Sequence, residues 1–169
     1  DAQAAIEALT EGPVVLVVSY MGGWISLLTI KAIPERIVGI VTIAAAPYFT
    51  EDSMWPNFTE EQKKTMETEG QIELPSDYDD AYVITRRLIE EGRECLVLRD
   101  PLLLSMPVRF LQGTADTDVE MSVALRLLDH AEGADMRLTL VDGADHRFSD
   151  DDCLALIERS VEEVLARAE

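Results

Sequence analysis

The sequence predicts an α/β protein in which a mostly parallel sheet lies between two layers of helices, a three-layer α/β/α arrangement. Residues 14–18 and Ile37–Ile43 are apolar runs rich in β-branched residues, as is typical of strands buried on both faces of a parallel sheet. Two glycines follow the first run, and apolar residues then recur at helical spacing over residues 23–33. Strands and helices therefore alternate along the chain.

The remaining elements follow the same alternation. A short amphipathic helix over residues 2–10 precedes the first strand and ends before Gly12 and Pro13. Further elements are predicted as a strand over residues 107–111, a helix over about residues 119–130, a strand at Met136–Val141 and a closing helix with Ser149 as its candidate N-cap. We expect one domain, residues 1–169.

A change of composition divides this pattern. Residues 48–101 are acidic and aromatic and are broken by prolines and a glycine, with helical patterns near Glu60–Glu69 and residues 82–91. We interpret this stretch as a helical cap inserted into the α/β domain.

Charge and cysteine content exclude several classes of protein. The formal charge of −19, from 33 acidic and 14 basic residues, repels nucleic acid and anionic membrane surfaces. No apolar run approaches the ~20 residues that cross a bilayer, and residues 1–11 contain no basic residue, so no signal peptide is expected. Cys95 and Cys153 lack metal-like spacing and fit a reducing, cytoplasmic compartment. We expect no metal and no cofactor.

Three turns that follow strands carry the candidates for chemistry. The first contains Ser19, Tyr20 and Met21, the second contains Asp116, and the third contains His146. Because the carboxyl ends of parallel strands meet at one edge of a sheet, the carboxylate could orient the imidazole there as a general base. The alternative is that the first turn is an ordinary connection whose glycines only let helix and strand pack closely.

The other histidine and nearby acids have structural interpretations. His130 lies near a predicted helix end, where a cation suits the helix dipole. Asp118, Asp142 and Asp145 are interpreted as solvated charges. No G-x-G-x-x-G or G-K-[ST] motif follows a strand, which argues against a nucleotide-binding protein.

Several motifs in one order carry a resemblance that covers essentially the whole chain. S-Y-M-G-G-W-I-S-L-L, P-V-R-F-L-Q-G-T-A-D-T-D-V and the final G-A-D-H resemble the α/β-hydrolase family, and more narrowly bacterial hydrolases related to a mitochondrial palmitoyl-protein thioesterase and acyl-glucuronide esterase. The resemblance implies hydrolysis of small acyl esters or thioesters through an acyl-enzyme. It also implies that Asp116 is the triad acid, His146 the base, and the backbone N–H of Met21 an oxyanion donor.

The nucleophile departs from that family. Aligning M-G-G-W puts Tyr20 where the reactive serine stands and Val18 where a small residue relieves crowding in the turn. A tyrosine hydroxyl lies several ångströms too far from its Cα to attack from the serine position. Ser19 is one residue early, and strand alternation turns it away from His146. Two hypotheses follow: an esterase or thioesterase with an impaired nucleophile, or a non-catalytic scaffold that binds or assembles.

The first strand has a second consequence. Members of the family carry further strands before this point, so residues 14–18 are expected to form an apolar edge with unpaired backbone groups. We therefore expect a homodimer, or a complementing amino-terminal segment, that pairs with this edge. The sequence does not identify the acyl group or the leaving group.

Overall fold

The computed structural model describes residues 2–75 and 81–168. These form two compact units: the residues up to Pro47 together with those from Val97 onward, and Tyr48–Leu96. Among the described residues, no helix has the length and apolar character that a membrane crossing requires.

Helices and strands follow in the predicted alternation, with additional elements in both units. In chain order they are α1 (Ala2–Leu9), β1 (Val14–Ser19), α2 (Met21–Ala32), β2 (Ile37–Ile43), α3 (Trp55–Asn57), α4 (Glu60–Glu69), β3 (Gln71–Leu74), β4 (Tyr82–Thr85), α5 (Arg86–Glu94), β5 (Leu102–Leu103), β6 (Val108–Gly113), α6 (Met121–His130), β7 (Ala131–Glu132), β8 (Met136–Val141) and α7 (Asp151–Leu165). A π-helix at Phe49–Met54 and a 3₁₀ turn at Val97–Arg99 complete the set.

The first unit is built on a four-stranded parallel sheet of order β1-β2-β6-β8. Ser19 pairs with Ile43, Ile43 with Leu111, and Gly113 with Val141. The carboxyl ends of the strands therefore lie along one edge, where the connecting turns collect. Within the described sheet β1 has a neighbour on one side only, as expected for an edge strand.

Helices cover both faces of this sheet, which confirms the predicted fold class. A Cβ at Gly22 in α2 would lie 3.3 Å from Val18 Cβ, whereas a Cβ at Gly39 in β2 would meet Val164 of α7 at 2.2 Å and Val15 at 3.4 Å. Val15 and Val18 have opposite parity in β1, so α2 and α7 pack on opposite faces. The missing side chain at Gly39 lets α7 approach the sheet.

A buried arginine joins β6 to α7 near the amino ends of the strands. Arg109 is 2% exposed. Its Nε and Nη2 donate to the two carboxylate oxygens of Glu163 at 3.1 and 3.0 Å, and Nη2 also pairs with Asp135 at 3.1 Å. Burial alone would lower the pKa of Arg109, but Glu163 and Asp135 outweigh it and raise that pKa.

The second unit is not purely helical. Its antiparallel hairpin pairs β3 with β4, Ile72 opposite Ile84, and both isoleucines are buried. They share a core with Phe58, Met66 and Ile89. The helix predicted over residues 82–91 is therefore wrong in its first four positions: the tertiary core selects a strand there, and α5 begins only at Arg86, after its cap Thr85. Whether this unit caps a site stays a prediction.

The start of the closing helix differs by one residue from the prediction. Asp150, not Ser149, is the N-cap, because its Oδ1 accepts the backbone N–H of Cys153 at 2.9 Å. Both residue types can cap a helix, and here the Asp150 carboxylate is the group that accepts the free N–H at the start of α7.

Candidate active site

The turn after β1 holds Tyr20 in an unusual backbone conformation. Its φ is 49° and its ψ is −120°, a region that non-glycine residues rarely enter. The Tyr20 N–H donates to the Ile43 carbonyl at 3.0 Å, and the Tyr20 carbonyl accepts from Gly23 at 3.0 Å and Ala46 at 3.1 Å. Backbone hydrogen bonds on both sides therefore hold a sharp strand-to-helix turn, the geometry called a nucleophile elbow.

Two glycines make that turn sterically possible. A Cβ at Gly23 would lie 2.6 Å from Ala45 Cβ, closer than two side chains can approach. At Gly22, a Cβ would meet Val18 Cβ at the tight but reachable distance of 3.3 Å. The crowding expected from Val18 is relieved because Gly22 has no side chain, and the elbow forms with valine in place.

An imidazole and a carboxylate meet beside this turn. His146 Nδ1 lies 3.0 Å from Asp116 Oδ2 and 3.1 Å from Oδ1. The Asp116 side chain is fully buried, and Oδ1 accepts the backbone N–H groups of Asp118 and Val119, each at 2.9 Å. Since the carboxylate only accepts hydrogen bonds, Nδ1 is the protonated nitrogen and Nε2 is the basic one, the tautomer that a general base needs.

Gln112 supports the pair from beneath and was not among the predicted site residues. It is fully buried at the end of β6, and its Nε2 donates to Asp116 Oδ2 at 3.1 Å and to the Val119 carbonyl at 2.9 Å. A glutamine next to Gly113 at the end of a fully buried strand was the available signal, because a buried amide needs polar partners.

The predicted site residues do not all meet. The rings of Tyr20 and His146 stand edge to face with centroids 5.2 Å apart, so Tyr20, Asp116 and His146 converge. Ser19 is the last residue of β1 and is exposed. Among residues 2–75 and 81–168, no hydrogen bond joins Ser19 to Asp116 or His146.

Met21 is the first residue of α2, and its side chain is 38% exposed. N–H groups in the first turn of a helix have no intrahelical acceptor and point along the positive end of the helix dipole. The Met21 N–H therefore has the chemistry of an oxyanion donor.

The structure agrees with the interpretation of the other histidine and differs from that of two of the nearby aspartates. His130 Nε2 bonds the Asp100 carbonyl at 2.8 Å beside the end of α6, in keeping with its structural interpretation. Asp145 accepts the N–H groups of Arg147 and Phe148 and so shapes the loop of His146. Asp118 is more than a solvated charge: its Oδ2 lies 3.9 Å from His146 Nε2, although the side chain is 63% exposed.

Among the described residues, one cluster has the side chains that could bind a metal ion. One ligand atom from each of Asp116, Asp118 and His146 lies within 4.8 Å of the others. Asp116 and His146 Nδ1 are already engaged with each other, which favours an acid–base pair over a metal centre.

Comparison of the sequence with known proteins identifies relatives of this chain. No protein-family model matches the chain. The chain is 28% identical to the mitochondrial palmitoyl-protein thioesterase ABHD10 of Bos taurus, and 27% to that of Homo sapiens, over 98% of its own length and 54% of theirs. It thus spans about half the length of these curated relatives.

Solved structures agree. A proposed hydrolase from Agrobacterium vitis S4 is 34% identical with a TM-score of 0.90, over 99% of this chain and 66% of that one. The mouse α/β-hydrolase domain-containing protein 10 is 26% identical with a TM-score of 0.85, over 100% and 68%.

The parallel sheet, the elbow and the acid–base pair define a protein of the α/β-hydrolase class. Within that class the chain is a relative of the mitochondrial palmitoyl-protein thioesterase ABHD10 and of the Agrobacterium hydrolase. The predicted resemblance is thereby confirmed.

Proposed function

We propose that this chain carries the acid–base half of an ester or thioester hydrolase site, with Tyr20 in the place of the acyl-forming nucleophile. The proposal rests on one observation: the Asp116–His146 pair lies beside Tyr20, the elbow residue, whose φ is 49° and ψ is −120°. The substrates would be small acyl esters or thioesters; the palmitoyl-protein thioesterase name of its relatives supports the thioester bond.

Each residue would have a distinct task in acyl transfer. His146 Nε2 would take the proton of the attacking hydroxyl and return it to the leaving group, while Asp116 stabilises the imidazolium that forms between these steps. The Met21 N–H would bind the carbonyl oxygen as it becomes negative. The Tyr20 phenol reaches beyond the position of a serine Oγ, so we expect acyl transfer in the parent chain to be impaired.

Hydrolysis of an uncharged ester tests this proposal. Hydrolysis of p-nitrophenyl acetate is measured for the parent, for Tyr20→Ser, and for Tyr20→Ser combined with His146→Ala. We expect a slow parent, gain of turnover on Tyr20→Ser, and loss of most of that gain in the double variant. Tyr20→Phe is the matched control: it keeps the ring beside His146 and supplies no hydroxyl, so it should match or fall below the parent.

The alternative is a non-catalytic scaffold that serves binding or assembly, and Tyr20 at the nucleophile position favours it. Under this alternative Tyr20→Ser stays inert although circular dichroism shows a folded chain. That result would reject the hydrolase proposal.

The edge at β1 carries a separate proposal about partners. β1 has a single neighbouring strand within the described sheet, and Val17 on it is 47% exposed. We expect this edge to pair with a further strand, from a second copy or from an amino-terminal segment. Sedimentation that shows a monomer, together with slow amide exchange across residues 14–18, would contradict it.

A further inference from the structure

The carboxylate of Asp118 lies at the nitrogen that handles the leaving group. Its Oδ2 is 3.9 Å from His146 Nε2, and its side chain is 63% exposed. In acyl transfer Nε2 must come within about 3 Å of the leaving oxygen or sulfur to return the proton. The leaving atom would thus stand within about 7 Å of the Asp118 carboxylate, since the two distances share the nitrogen.

Asp118 differs from Asp116 in its burial and in its hydrogen bonds. Asp116 is buried. It accepts three hydrogen bonds in addition to the one from His146, and its role is to orient the imidazole ring. The backbone N–H of Asp118 is part of that support, whereas its side chain extends toward the opposite nitrogen of the imidazole. Within residues 2–75 and 81–168, no lysine or arginine forms an ion pair with Asp118, so its carboxylate places a negative charge on the leaving-group side of the ring.

We propose that Asp118 sets the charge preference of this site, favouring esters and thioesters whose leaving alcohol or thiol is cationic and disfavouring anionic leaving groups. This inference rests on the proposed hydrolase function. Where the charged group of the leaving alcohol or thiol comes within about 6 Å of Asp118, at the high effective dielectric of an exposed site, one unit charge changes binding by about threefold to tenfold. Discrimination between a cation and an anion is the product of two such factors, about tenfold or more.

Three acetate esters of one skeleton, HO–CH₂–CH₂–X, test the preference. X is trimethylammonium (acetylcholine), methoxy (2-methoxyethyl acetate) or sulfonate (acetyl isethionate), and each kcat/KM is divided by the rate constant of the same ester with hydroxide. In Tyr20→Ser we expect the order trimethylammonium, methoxy, sulfonate. Adding Asp118→Asn should cut the cation-to-anion ratio at least threefold, whatever its effect on the turnover of the methoxy ester. Molar salt should also compress the ratio, because the Debye length falls to about 3 Å.

Asp129→Asn is the control for net charge. Asp129 is exposed near the end of α6, a ten-residue helix whose length of about 15 Å separates it from the Asp116 loop. The same loss of one negative charge there should leave the ratio unchanged. A ratio that moves equally in both variants would show a general effect of protein charge and overturn the inference.

A binding measurement on the parent chain separates this inference from the proposed function. Choline and isethionate are titrated while the ring C–H resonance of His146 is followed by NMR, with His130→Gln to assign the two histidines. Choline should shift the His146 resonance at lower concentration than isethionate, and Asp118→Asn should remove the difference. If Tyr20→Ser is inert but the NMR preference is present, the hydrolase function fails and the charge preference stands. If Tyr20→Ser turns over and neither ratio nor resonance responds to Asp118→Asn, this inference fails and the function stands.

Discussion

Asp116 holds His146 through both carboxylate oxygens, at 3.0 and 3.1 Å from Nδ1, and is itself held by backbone N–H groups of the loop that follows it. The ring orientation therefore depends on a carboxylate that cannot rotate. Both ends of this relationship lie in one compact unit, so it belongs to the α/β framework itself.

Replacing that carboxylate by an amide tests its role. In the Tyr20→Ser background, Asp116→Asn should lower kcat for p-nitrophenyl acetate by about 10³- to 10⁴-fold, because an amide nitrogen facing Nδ1 favours the wrong tautomer. Asp142→Asn is the matched control: Asp142 is exposed and accepts a long 3.3 Å hydrogen bond from Thr114. A drop of similar size in the control would contradict a specific role for Asp116.

The elbow glycines give a paired stability prediction. Gly23→Ala should reduce the free energy of unfolding by about 1–3 kcal/mol, because its Cβ would overlap Ala45 in a packed core. Gly22→Ala faces only the 3.3 Å approach to Val18 and gains helix propensity of about 0.5–1 kcal/mol, so its effect should be much smaller. Urea denaturation of both variants compares them; equal losses would disprove the proposed contact.

The Arg109–Glu163 pair predicts a pH-dependent contribution to stability. The hydrogen bonds from Arg109 hold the pKa of Glu163 below its ordinary value. A lowered folded-state pKa stabilises the fold at pH values above the unfolded pKa, and this stability is lost as the pH falls through the folded value. Glu163→Gln should cost about 1–2 kcal/mol at neutral pH, less than for a fully buried pair because solvent screens it.

The cost of Glu163→Gln should shrink as the pH falls below the unfolded pKa of glutamate, because the ionised carboxylate then contributes progressively less to stability. Glu162→Gln, on the exposed side of α7, should cost little at either pH. Urea unfolding at pH 7 and at pH 3 measures both variants. A cost that stays constant with pH would argue against the ion pair.

The two cysteines should differ in reactivity. Burial, with Asp150 adding to it, raises the pKa of Cys153 to about 11, whereas Cys95 is half-buried. The thiolate is the reactive form, so iodoacetamide at pH 8 should modify Cys95 in the native protein and reach Cys153 only after unfolding. Mass spectrometry counts the adducts, and Cys95→Ser should show none in the native state. The cytoplasmic location expected from the cysteines stays a prediction.

The local pattern of apolar residues was sufficient to predict strands of the parallel sheet. β2 and β8 begin and end at the predicted residues, because a buried strand has a continuous apolar run bounded by turn residues. The hairpin of β3 and β4 was missed because Ile72 and Ile84 are joined by pairing between distant residues, which periodicity within one segment does not reveal.

The site was predictable in part for the same reason. Strand ends brought Asp116 and His146 to one edge, as the parallel topology requires. The support from Gln112 and the approach of Asp118 to Nε2 depend on loop geometry that no residue spacing specifies. The backbone at Tyr20 likewise follows from hydrogen bonds to Ile43, the last residue of the next strand, and to Ala46 just beyond it.

The gap at Gly39 has a consequence for how the chain is made. One face of the sheet is closed by Val164 of α7 sitting over that glycine, and α7 follows all four strands in the sequence. While the protein is being translated, this apolar face stays uncovered until α7 has left the ribosome. A nascent chain stalled before α7 should therefore be a strong chaperone client, and release of α7 should end that dependence.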